Sequence, residues 1–95
     1  MTKVLSIETI EPYFLVCRFN NNSLKKLDIL PLIQNHKELN GIEQLMDSET
    51  FKKARVGEMG EILWDKIITT NYKGEKVIWD YDISPEFAFE NGIQC

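Results

Sequence analysis

The chain reads as a small α+β domain: an antiparallel β-sheet, made of a meander and a C-terminal hairpin, with two or three short helices. Three observations predict this class. Three segments of strand character fall within the first thirty residues, a strand–turn–strand pattern runs from Glu61 to Asp80, and short helix signals lie between them and after them. With 95 residues the chain has room for one domain, residues 1–95, around one core.

Val4 to Ile10 alternates Val4, Ser6 and Glu8 against Leu5, Ile7 and Thr9, the period of a half-buried strand, and Glu11-Pro12 breaks it. Tyr13 to Phe19 is rich in aromatic and β-preferring residues, and Asn20-Asn21-Asn22-Ser23 supplies turn chemistry. Leu24 to Ile29 returns as the third strand of a meander. Leu30-Pro31-Leu32-Ile33 is expected to form a buried turn or single helical turn, with proline near its start.

After polar Gln34 to Glu38, the spacing of Leu39, Ile42, Leu45 and Met46 predicts a short helix weakened by Gly41. Asp47 or Ser48 caps the next one. With Ser48 as cap, Phe51, Ala54 and Val56 supply its apolar side, and Gly57 and Gly60 end it. Glu61 to Trp64 and Lys66 to Thr70 form one strand, Asn71-Tyr72-Lys73-Gly74 the turn, and Glu75 to Asp80 the partner, which sets Trp79 opposite about Ile67. Ser84-Pro85 starts a last helix that Asn91-Gly92 stops.

The formal net charge of -4 and the scatter of the eleven basic residues weigh against direct nucleic-acid contact and anionic-membrane contact. Apolar runs are too short for a signal peptide or a membrane span, so a cytoplasmic setting is expected. Cys17, mid-strand, is expected to be a buried, unreactive thiol, and with Cys95 as its only companion no disulfide framework is indicated. His36 lies in a polar run without a second histidine, so a solvated loop is its expected place. No phosphate loop, nucleophile elbow or zinc spacing occurs, and no catalytic residue, cofactor or metal is assigned.

Two residue sets remain as candidates. Trp64, Tyr72, Trp79, Tyr81, Phe87 and Phe89 concentrate aromatic surface in the last third, and those left exposed would anchor a protein partner or a second copy of the chain. Asp80 and Asp82 share one face of a strand, and Asp65 on the neighbouring strand would complete an acidic cluster for a divalent cation or for hydrolytic chemistry.

Tyr13 to Phe19 with its Asn turn, Leu27-Asp28-Ile29-Leu30-Pro31-Leu32-Ile33, Leu45-Met46-Asp47, then Phe51, Val56, Gly60 and Trp64, and finally Asp82 to Phe89 follow one another in an order that resembles the bacterial domain-of-unknown-function family 2442. The resemblance covers nearly the whole chain. It departs where the Lys66 to Asp80 hairpin separates Trp64 from Asp82, which makes Trp79 a second match for the family tryptophan. The resemblance implies a small α+β domain without an established activity. It also implies, for some members, a toxin-antitoxin-like pairing with a second small family, 4160, and for others a helix-turn-helix after this domain, which a chain ending at Cys95 is not expected to carry. The expectation is therefore a cytoplasmic protein-interaction module, antitoxin-like or regulatory, with the acidic site as the alternative.

Overall fold

The strand-patterned segments of the first thirty residues become β1 (Val4–Glu11), β2 (Phe14–Phe19) and β3 (Leu24–Asp28), an antiparallel meander, in a computed structural model that describes residues 1–35, 41–70 and 72–95. In β2 the alternation is kept: Leu15, Cys17 and Phe19 are buried. In β1 it is not. Register shifts between Val4 and Ser6 and between Ile7 and Thr9 reset the parity, so Val4, Ile7 and Ile10 face the core while Leu5 is exposed. The strand also runs through Glu11, where a break was expected.

At the end of β3 the Asp28 carboxylate accepts the Leu30 N–H at 3.2 Å, and α1 (Leu30–Asn35) follows, burying Leu32 and Ile33. His36 and Leu39 lie outside the described residues. Ile42–Met46 is a 3₁₀ turn where a short helix was expected, with Ile42 and Leu45 buried and Met46 exposed. Gly41 enters it at φ 94°, a conformation that disfavours a Cβ.

Asp47, the first of the two predicted caps, starts α2 (Ser48–Phe51) by accepting the Thr50 N–H at 3.0 Å. That helix is a single turn, shorter than expected, and Ala54 and Val56 lie beyond it. Arg55–Val56 is instead a short strand, β4, paired with β5 (Ile62–Thr70) as Arg55 opposite Leu63 and Val56 opposite Ile62. The Gly57 N–H donates to the Glu61 carbonyl at 2.8 Å, so Gly57 to Gly60 form a hairpin turn and not a helix stop.

The second hairpin matches expectation, with Trp79 of β6 (Lys76–Ile83) opposite Ile67 of β5. It reaches three residues past Asp80 and carries a register shift between Trp64 and Ile67, where Lys66 has φ 60°. Ser84 caps α3 (Pro85–Asn91), accepting the Phe87 N–H at 3.1 Å, with Pro85 in the first helical turn. A last strand, β7 (Ile93–Gln94), absent from the sequence reading, adds to β3 through Lys25 opposite Gln94 and Lys26 opposite Ile93.

The strands make two antiparallel sheets, where one had been expected: β1-β2-β3-β7 and β4-β5-β6. Together with the three short α-helices among the described residues they form an α+β fold around one buried cluster drawn from both sheets. An aromatic chain links the parts. Tyr13 packs edge-on against Phe51 at 5.4 Å, Phe51 meets Trp64 at 5.8 Å, and Trp64 meets Tyr81 at 5.9 Å. The Trp64 indole donates to the Phe51 carbonyl at 3.0 Å, and the hydroxyl of half-buried Tyr13 donates to the Met46 carbonyl, so the polar tips of both rings are satisfied.

Candidate interaction surface

The β5–β6 hairpin has an inner and an outer face because paired residues on antiparallel strands point the same way. Trp64 with Tyr81, Ile62 with Ile83, and Ile67 with Trp79 point inward onto the core. The intervening pairs point out: Leu63 with Asp82, and Ile68 with Ile78. Ile68 is 49% and Ile78 66% exposed, directly opposite one another, so two isoleucines form an apolar patch on the solvent side. Val77 at the same end is exposed as well.

β6 is also an outermost strand: it pairs with β5 on one side, and no described strand pairs with its other side. An exposed strand of 8 residues offers a row of backbone donors and acceptors to another chain. Its solvent side carries Lys76, Ile78, Asp80 and Asp82 in alternation.

The six aromatic candidates divide. Trp64, 1% exposed, and Tyr81 are core residues, and no partner reaches them. Trp79 is half-buried, edge-on to Tyr81 at 6.2 Å. Phe89 is half-buried against Phe19 at 5.1 Å, with the Lys25 ammonium 3.6 Å over its ring. Tyr72, 94% exposed, and Phe87 remain available to a partner. Ile68 and Ile78 carry no mark in the sequence that sets them apart from core isoleucines; the ladder register places them opposite one another on the outward parity.

The three aspartates do not assemble into a metal centre: among the described residues no group of three His, Cys, Asp or Glu side chains could hold an ion. Asp65 is engaged by Arg55 at 3.1 Å, and that guanidinium holds its carboxyl below the usual range. Asp80 accepts the Lys66 N–H at 3.4 Å across the register shift, and Asp82 lies opposite Leu63. Burial pushes the Tyr81 phenol up, with Asp82 adding to it, and burial pushes the Cys17 thiol up to about 12, as an unreactive core cysteine requires. No helix among the described residues is long and apolar enough to cross a membrane.

A depression beside the hairpin is lined by Gln44, Thr50, Lys53 and Lys66, with Trp64, Asp65 and Ile68 completing its wall. Two lysines and one carboxylate, that of Asp65, thus meet at its wall.

No protein-family model and no curated protein matches the chain. Among solved structures it is similar in fold to the "Putative DNA Binding Protein" of Nitrosomonas europaea, with a TM-score of 0.56 and 18% sequence identity over 67% of this chain. The chain spans 40% of the length of that protein. At such identity the likeness is one of fold. It nonetheless overturns the expectation of no direct nucleic-acid contact, since a related architecture occurs in a protein named for binding DNA. Net charge is a weak guide to such contact, because charge summed over the whole chain does not describe one face.

Proposed function

We propose that this chain is a small, non-catalytic protein-interaction module that docks another small protein, in an antitoxin-like or regulatory pairing, on the outer face of the β5–β6 hairpin. One observation carries the reading: Ile68 and Ile78 face solvent opposite one another beside an unpaired strand edge. Exposed β-branched residues on a sheet cost little to order, since few rotamers are lost, and they release water when a partner covers them. Membership of the family the sequence resembles belongs to the same reading. It is supported by Asp28 accepting the Leu30 N–H ahead of α1, Ser84-Pro85 starting α3 and Trp64 lying in the core, positions where the resembling motifs have structural work.

The test is capture of a defined partner from host extract by the tagged chain, after nuclease treatment, compared with Ile68→Lys and Ile78→Lys. The expected result is a single small protein retained by the wild type and lost by both variants, each still folded by near-ultraviolet circular dichroism. Retention unchanged in both variants would sink the reading.

A second reading, favoured by the fold likeness to the Nitrosomonas europaea protein, is that the chain touches DNA through the Lys53 and Lys66 depression. Phosphate contacts would make such binding fall steeply with salt. Fluorescence anisotropy of a labelled duplex decides it: salt-sensitive binding weakened by Lys53→Glu and Lys66→Glu supports the reading, and salt-insensitive or absent binding removes it.

A further inference from the structure

We infer that the free edge of β6 pairs antiparallel with the same edge of a second copy, about a two-fold axis through Ile78, giving a continuous six-stranded sheet. The inference deepens the proposed docking role and rests on it only for the use made of the resulting face.

Charge is spaced along the strand to favour this pairing. Lys76 and Asp80 stand two residues before and two after Ile78, and all three point to the outer face. In an antiparallel pair centred on Ile78, residues equidistant from the centre face one another. Lys76 then lies opposite Asp80 of the second copy, and by symmetry Asp80 lies opposite its Lys76. Ile78 meets Ile78, and on the other face Val77 meets Trp79 of the second copy. Charge and apolar surface are both matched, twice over, as an isologous interface requires.

Other residue-centred registers along this stretch lose one or both matches. A centre on Lys76 or on Asp80 sets like charges opposite each other, a centre on Val77 sets Lys76 against Ile78, and a centre on Trp79, though it pairs Lys76 with Asp82 of the second copy, sets Ile78 against Asp80. A centre between two residues turns the outer face of one copy to the inner face of the other. Charges on an edge strand ordinarily repel any incoming strand. Here their signs are ordered so that one register, centred on Ile78, matches charge and apolar surface together.

Three facts keep this edge open to a partner. No described strand occupies it, Lys76, Val77, Ile78 and Asp80 are all exposed, and Lys76 makes no ion pair among the described residues. The stretch matched about Ile78 runs only from Lys76 to Asp80 on each copy, so the interface is small, which predicts association that depends on concentration. Its consequence for docking is geometric: Ile68 and Ile78 of one copy continue into Ile78 and Ile68 of the other, one apolar stripe across four strands.

Sedimentation velocity from about 1 μM to about 1 mM, the range in which small interfaces associate, tests this with the wild type, Lys76→Asp, Asp80→Lys and the double swap. The expected result is a wild type moving from 11.1 kDa to twice that mass. Each single reversal, which sets like charges opposite at both symmetric positions, should weaken association by on the order of tenfold. The double swap should restore it. Thermal melting checks that each variant is folded. A wild type that stays monomeric throughout, whether alone or with a different protein or nucleic acid bound, overturns the inference. So does a dimer indifferent to the single reversals, or one that the double swap fails to restore. A monomer that still captures its partner through Ile78 would end the dimer and leave the docking role standing.

Discussion

Replacing Trp64 by Phe perturbs the aromatic chain that ties the two sheets together, and its cost follows from three contacts. The indole is 1% exposed, packs between Phe51 and Tyr81, and donates to the Phe51 carbonyl. Losing the donor costs about 1 kcal/mol, the low end of the usual range for a lost buried partner, because the same carbonyl still accepts a longer bond from Ala54 at 3.3 Å. The smaller ring removes buried apolar surface and leaves a gap, adding roughly 1–2 kcal/mol. The sum, about 2–3 kcal/mol, corresponds to a melting temperature lowered by roughly 10–20 °C in a domain of this size. Far-ultraviolet circular dichroism during heating, with urea unfolding as a second measure, reads the change without relying on tryptophan emission. Trp79→Phe is the internal control, since Trp79 is half-buried and its truncation should cost about 1 kcal/mol or less. The reasoning is refuted if Trp64→Phe melts no lower than Trp79→Phe.

Further outcomes follow from the same structure. Gly41→Ala should destabilise by about 2–4 kcal/mol, because left-handed backbone is compounded by a Cβ that collides with the Thr69 methyl, whereas Gly74→Ala, with φ 78° and open space, should cost only about 1 kcal/mol. Urea titrations that rank the two equally would show the Gly41 contact to be yielding. A thiol reagent at neutral pH should label Cys95 and spare Cys17 until denaturant is added, since burial lifts the Cys17 thiol to about 12; labelling of both thiols in the native state would contradict its core position. The backbone N–H of Thr50 holds the Asp47 carboxyl below its ordinary value, so its contribution is present above the unfolded value near about 3.9 and is lost as pH falls through the lower folded value. Asp47→Ala should therefore lower the melting temperature at neutral pH and make no difference in strong acid, and an equal loss at both would refute the cap.

The fold class, the opening meander, the Lys66 to Asp80 hairpin with Trp79 opposite Ile67, and the Ser84-Pro85 helix start were all legible in the residues. Each depends on local chemistry: turn residues, β-branched runs and caps act within a few positions of themselves. β1 misled because register shifts are set by the partner strand; Val4 to Ile10 alternates on paper, and β2 decides which of its residues face inward. Val56 misled for a like reason. Its spacing from Phe51 suits a helix, but pairing with Ile62 draws it into a strand.

The residues alone settled the two-residue rhythm of β6, with Lys76, Ile78, Asp80 and Asp82 on one parity. Only tertiary structure decided that this parity faces solvent, that Trp64 and Tyr81 are core, that the strands divide into two sheets, and that the edge of β6 is left without a neighbour. Periodicity states which side chains travel together. Which side meets water is decided by what packs against the other face, and for β5 and β6 that is a cluster assembled from residues as distant in the chain as Val4 and Ala88.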